Sequence, residues 1–153
     1  MACAHNPATR KREVRFVSTK SEIAIGAQVK KEMLERIGEY DNPKLKSYVT
    51  SVGNNLVLVS ERKNLAYDFT ILDTSMVNAF AAPGGFIFVT RGLLQELKSE
   101  DELALVLGHE IGHVVALHGI KSLERQMGTQ FLTVLAAIAV GTQDFPLASG
   151  LGT

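Results

Sequence analysis

The chain has a single cysteine, Cys3, in 153 residues. No intrachain disulfide can form, so the fold rests on packing, alone or helped by a metal. It also lacks an excess of either charge, with sixteen Lys plus Arg against sixteen Asp plus Glu. Bulk electrostatics therefore point to neither nucleic acid nor an anionic membrane surface as partner. The basic run Arg10, Lys11, Arg12 and Arg15 is short and interrupted by Glu13, which reads as a solvated segment. Long apolar stretches are missing too. The longest, Phe131 to Val140, is about half of the roughly twenty residues that span a bilayer, so it reads as a buried helix. Met1-Ala2-Cys3-Ala4 has no apolar stretch before the cysteine and is not a secretory signal peptide. There are no internal repeats.

With 46% of its residues in the hydrophobic set, the chain is expected to form one domain with a modest core. Residues 1–18 read as polar and irregular. A helix is expected from Thr19, with Glu22 completing a capping box, Ile25, Val29, Met33 and Ile37 forming one apolar stripe, and Gly38 as the stop. Asn42-Pro43 opens a second helix, continued by Leu45, Tyr48, Val49, Val52 and Leu56. The period then shortens to two. Tyr67, Phe69 and Ile71 predict a strand, and Val77 to Ala81 and Phe86 to Thr90 predict two more around the turn Ala82-Pro83-Gly84-Gly85. A small antiparallel sheet is the economical arrangement. Ser99 with Glu102 opens the last clear helix, where Leu103, Val106, Leu107, Ile111, Val114 and Leu117 make the apolar side.

That helix carries His109-Glu110-Ile111-Gly112-His113, an H-E-x-x-H pattern. Histidines four apart project from one face about one turn apart, so both imidazoles can reach one zinc ion. Glu110 stands beside the remaining open position. There it can take a proton from an attacking water and later return it to a leaving amine, so no serine or cysteine nucleophile is needed. Two imidazoles and a carboxylate without partners would be costly within an apolar helix, which argues against mere decoration. Gly108 and Gly112 cost about 1 kcal/mol each in helix propensity, which close approach of another backbone or tight helix packing would explain. His118 lies off the ligand face and reads as a supporting or structural residue, and His5 as exposed. Glu124, eleven residues past His113 and about 16 Å along a continuous helix, reaches the site only if the chain turns back.

On these residues the chain resembles the gluzincin metallopeptidases of family 48, the HtpX-, BepA- and Oma-like zinc proteases. The resemblance covers Thr9 to Gly26, the segment Val77-Asn78-Ala79-Phe80-Ala81-Ala82-Pro83-Gly84-Gly85, Arg91-Gly92-Leu93-Leu94, and Leu107 to His118. It implies an α+β, zincin-like metallopeptidase fold with helices packed on a small antiparallel sheet. The implied domain runs over 19–153 and is shortened at its carboxy end. It further implies that Asn78 and Ala79 lie on an active-site edge strand that aligns an extended substrate. Such an edge suits unfolded chains, because backbone pairing makes little demand on side-chain sequence. Cys3 stands where relatives carry a lipidated cysteine, implying an envelope lipoprotein anchored to the membrane, and the methionine before it reads as a processed or engineered terminus. Two departures stand out. Leu117 replaces a frequent arginine, and residues 114–153 hold no E-x-E-A-D-like segment to supply the glutamate that serves relatives as third zinc ligand.

The reading is therefore a zinc endopeptidase using one ion. His109 and His113 are the metal ligands, Glu110 is the general base and acid, and the substrates are misfolded or unassembled proteins of the bacterial envelope or periplasm. Two alternatives stay open: a catalytically incomplete module that binds zinc weakly and holds peptides, and a membrane-associated scaffold docking a partner through the run at Phe131 to Val140.

Overall fold

A computed structural model of the chain describes residues 2–5, 12–15 and 17–116, the first two segments by their backbone alone. Leu117, His118, Glu124, the Phe131 to Val140 run and the carboxy-terminal tail lie outside the described residues. The elements are β1 (Ala2–His5), β2 (Arg12–Arg15), α1 (Thr19–Arg36), α2 (Pro43–Leu58), β3 (Asp68–Leu72), β4 (Ala79–Ala82), β5 (Phe86–Thr90), α3 (Arg91–Glu96) and α4 (Glu100–Val115). No helix among the described residues is long and apolar enough to cross a membrane.

Helix boundaries follow the capping chemistry. The Asn42 side chain accepts from the Leu45 amide at 3.1 Å, with Pro43 at the first helical position of α2. Ser99 accepts from the Glu102 amide at 3.2 Å at the start of α4, and Gly38, at φ 90°, follows α1 as predicted. At the start of α1 the cap is Ser18, not Thr19, and it accepts from the Ser21 amide at 3.1 Å. Helix α3 was not expected. Its six residues are too few for periodicity to show, but Thr90 caps it by accepting from the Leu93 amide at 3.1 Å.

The first eighteen residues depart from the irregular segment expected, because β1 and β2 pair antiparallel with Cys3 opposite Val14. A ladder of backbone hydrogen bonds needs no apolar alternation, so the polar composition hid it. The second sheet has the order β3-β5-β4. It is mixed, not antiparallel: β4 runs antiparallel to β5, but β3 runs parallel to it, with Asp68 opposite Phe86. The segment 73–78 carries the chain past the place that β5 then fills. Four consecutive apolar residues, Phe86 to Val89, suit β5 to a centre buried on both faces, and the alanine-rich β4 is left at the edge.

Each face of this sheet has its own core. On one, Leu72, Ala82 and Phe88 pack with Phe80, Phe86 and the α1 residues Val29 and Met33. On the other, Phe69, Ile71, Ile87 and Val89 meet Val49, Val52 and Val57 of α2 and its flank, together with Leu103, Leu107, Ile111 and Val114 of α4. Ala79 and Ala81 pack on this second core, so α4 lies against the edge strand.

Glu22 does not act as a capping acid. It is buried, its carboxylate held by Arg62 in a two-pronged pair (2.8 and 2.9 Å), and it accepts the Gly84 amide at 3.2 Å. A third Arg62 bond, of 2.9 Å, runs to the Val114 carbonyl on α4. Capping and burial ask for the same residue at the same place, three or four positions into a helix, so the sequence could not separate them. One turn further along α1, Gly26 lets the Pro83 carbonyl come so close that a Cβ would lie 1.8 Å from its oxygen.

Gly26→Ala should therefore lower stability by at least about 2 kcal/mol in urea unfolding. Gly108→Ala, whose Cβ meets nothing within 4 Å among the described residues, should raise it by about 0.5–1 kcal/mol. The Lys30–Asp68 pair, at 2.7 Å, ties α1 to β3, and Thr70 donates to the same carboxylate at 2.8 Å. Burial alone would raise the Asp68 pKa, but hydrogen bonds from Lys30 and Thr70 and the Lys30 charge outweigh it and hold it below 3.8. The sign is that of a depressed acid: its contribution is complete above pH 3.8 and disappears as pH falls through the lower folded value. The stability gap between the natural chain and Asp68→Asn should accordingly close over that acid range; a constant gap would contradict the pairing.

Candidate metal centre

Helix α4 is specified twice, by its cap and by its first turn. Glu100, Asp101 and Glu102 sit where the amino-terminal end of the helix dipole favours negative charge. Glu102 also accepts from the Lys98 amide at 2.7 Å, close to the capping box expected. Tyr48 on α2 donates to Glu100 at 2.7 Å and so fastens the two helices at this end.

Leu103, Leu107, Ile111 and Val114 bury one side of α4. Successive residues turn by about 100°. His109 and His113, four apart, thus share the outer side, His109 exposed and His113 half-buried, while Glu110 turns inward and is 8% exposed. The two rings stand edge to face with centroids 4.5 Å apart, and their Nε2 atoms approach to 2.9 Å. Two zinc–nitrogen bonds of about 2.0–2.1 Å can span that separation. One ligand atom from each of His109, Glu110 and His113 lies within 4.8 Å of the others, making the one group of its kind among the described residues. The donor set, two convergent imidazoles and an adjacent carboxylate, fits a divalent metal ion of zinc type.

The glycines beside the ligands have a simpler setting than expected. Neither Gly108 nor Gly112 is approached within 4 Å of its would-be Cβ by another described residue, so among those residues neither close backbone approach nor tight packing accounts for them. Leu105, one turn before His109, is 76% exposed. The outer side of α4 is thus open at Leu105, His109 and Gly112 among the described residues.

The edge strand lies against this helix, and its register decides which groups it can offer. Thr90 donates its amide to the Asn78 carbonyl at 3.0 Å, and its hydroxyl accepts the Asn78 amide at 3.1 Å. Both backbone groups of Asn78 are therefore engaged with β5, and its exposed side chain remains open to solvent. Antiparallel pairs alternate, so the next pair, Ala79 with Val89, turns the Ala79 backbone groups to the outer edge, and Ala81 with Ile87 does the same. Asn78 and Ala79 thus differ in what they present, and Ala81 joins Ala79, a residue that the period of two could have supplied. Cys3 lies in the separate β1–β2 sheet.

The profile of peptidase family M48 matches residues 43–149. The chain is 30% identical over 137 residues to the mitochondrial metalloendopeptidase OMA1 of Schizosaccharomyces pombe, covering 88% of this chain and 41% of that protein. It is 33% identical over 96 residues to a putative beta-barrel assembly-enhancing protease of Vibrio cholerae, covering 63% and 20%. To the metalloprotease LoiP of Escherichia coli it is 32% identical over 98 residues, covering 64% and 36%. The chain therefore spans between about a fifth and two fifths of the length of these relatives.

Replacing either histidine by alanine should remove zinc binding, read by competition with a chromophoric chelator, while far-UV circular dichroism stays unchanged. Retention of full affinity in His113→Ala would place the ion elsewhere.

Proposed function

Because the chain belongs to peptidase family M48, we propose that it acts as a zinc-dependent endopeptidase of the zincin-like, gluzincin type on polypeptides in extended conformation. The observation that supports this best is the joint placement on α4: two imidazoles converging on its open side, a buried carboxylate between them in sequence, and the edge strand β4 packed alongside. A substrate segment would add to β4 as a further strand, paired through the outward backbone groups of Ala79 and Ala81, with the Asn78 side chain beside it.

His109 and His113 would hold the ion. When bound there, zinc supplies Lewis acidity, which polarises a peptide carbonyl and makes water more acidic. Glu110 accepts the proton that water releases as it attacks the carbonyl carbon, and delivers it to the departing amine nitrogen as the C–N bond breaks. It is buried, and its carboxylate lies within 4.8 Å of the ligand atoms of both histidines. The glutamate that the resemblance implies as third ligand is not among the described residues.

Two of the relatives named in full are metalloendopeptidase and beta-barrel assembly-enhancing protease. The first name supports endopeptidase activity and the second a role beside protein assembly, and substrates that are misfolded or unassembled proteins of the bacterial envelope belong to the proposal. A lipid on Cys3 as membrane anchor belongs to the same reading and follows from the resemblance. A second reading, a weak zinc- and peptide-binding module, is favoured by the presence of only this three-residue group among the described residues.

Glu110→Gln should keep zinc and lose at least about a hundredfold in kcat/KM. The natural chain should cleave an unfolded casein-like substrate faster than a folded protein of similar size. Equal rates on both would sink the extended-substrate proposal, and weak zinc with no cleavage at all would favour the binding module.

A further inference from the structure

The buried Glu22–Arg62 pair does not form the capping box of α1, yet it reaches both parts of the proposed site. From Glu22 one contact leads to the Gly84 amide, in the turn joining β4 to β5, and so to the strand offered to substrate. From Arg62 another leads to the Val114 carbonyl, the residue after His113. We propose that Arg62 is a positioning residue, locking the metal-bearing end of α4 to the β4–β5 turn through its shared bonds to Val114 and Glu22.

The side chain suits that task. Arg62 and Glu22 are both buried, and three charge-assisted bonds leave one guanidinium fixed in a single orientation. A planar fork can meet the two carboxylate oxygens and a carbonyl together, whereas a lysine ammonium, a point donor on a flexible stem, cannot reproduce the geometry. The carbonyl it holds lies in the last described turn of α4, one residue after His113, so the bond ties that turn to a side chain outside the helix. Loosening that tie would let His113 move relative to His109. On the other side, Gly26 and Gly84 bring α1 and the turn into backbone contact, so the turn has little freedom to move apart from Glu22. Fixing the turn fixes the register at which Ala79 and Ala81 stand beside α4.

Two measurements on the whole chain separate this role from simple stabilisation. In Arg62→Lys, zinc affinity should fall about tenfold, the lower end of what partners outside the ligand shell contribute. Lys30→Met, which breaks the Lys30–Asp68 pair on the α1 side of the sheet, should leave affinity unchanged even where it lowers the urea midpoint as much. The second measurement needs no substitution. Coupling between two sites is reciprocal, so zinc binding should slow hydrogen exchange of the Gly84 amide about fivefold or more. The Asp73 amide, bonded to the Gly38 carbonyl, should not change.

This assignment rests on the metal site proposed above, and the two can fail separately. Absence of zinc binding in the unsubstituted chain would remove both. Zinc binding that is equally tight in a folded Arg62→Lys, or Gly84 exchange indifferent to zinc, would overturn the positioning role and leave the metal site standing.

Discussion

Strand β5 is the constraint on which the rest of the structure depends. It is the central strand of the three, paired on both sides, and Ile87, Phe88 and Val89 are almost wholly inaccessible. A strand buried on both faces needs a helix layer on each. Phe88 takes α1 as its cover, and Ile87 with Val89 takes α2 and α4. The helix that carries His109 and His113 is therefore positioned by apolar packing on β5. The same strand places the edge, because β4 is held to it in a fixed antiparallel register and Thr90 at its end grips Asn78. Metal helix and edge strand thus share one reference element, which explains how a sheet of three short strands can keep both in place.

Much of this was legible in the sequence where a local rule has one outcome. Asn42-Pro43 and Ser99 are caps by their chemistry, and H-E-x-x-H on an apolar helix sets the two histidines on one face whatever surrounds them. The failures fall where two rules share a signal or where the outcome is non-local. Glu22 satisfies the spacing of a capping box, but its carboxylate is drawn to Arg62, forty positions away, since a buried charge requires a partner. Strand order likewise depends on which strand has the most apolar surface to bury, so the small antiparallel sheet expected from the sequence yields to a mixed one with β5 in the middle. The β1–β2 pair escaped notice because backbone pairing leaves no periodic trace in residues that are largely polar.

The outer side of α4 stands apart from this internally consistent scheme. Leu105 and His109 are exposed there, and Gly108 and Gly112 face open space among the described residues. Two glycines cost a helix about 2 kcal/mol in propensity together. That cost opposes every other choice in α4, whose cap, acidic first turn and apolar face all favour the helix. A conflict of this kind between local preference and fold is expected at functional positions. It falls on the two residues that immediately precede the histidines.

The five-residue motif also divides its chemistry between two environments. Histidines at the first and fifth positions come round to the same side of α4, whereas the glutamate at the second is rotated by about 100° toward the core. The ligands thereby stay accessible to an ion and to a chain lying along the edge strand. The glutamate itself is buried, at 8% exposure. Ala79 and Ala81, facing the same core, are small enough for β4 to lie close beside this helix. A larger residue at either position would push the strand outward and widen the gap between the backbone groups offered to substrate and the carboxylate of Glu110. The spacing of the motif and the small residues of the edge strand are thus two parts of the geometry on which the proposed endopeptidase reading rests: a carboxylate, two imidazoles and a strand edge on neighbouring elements.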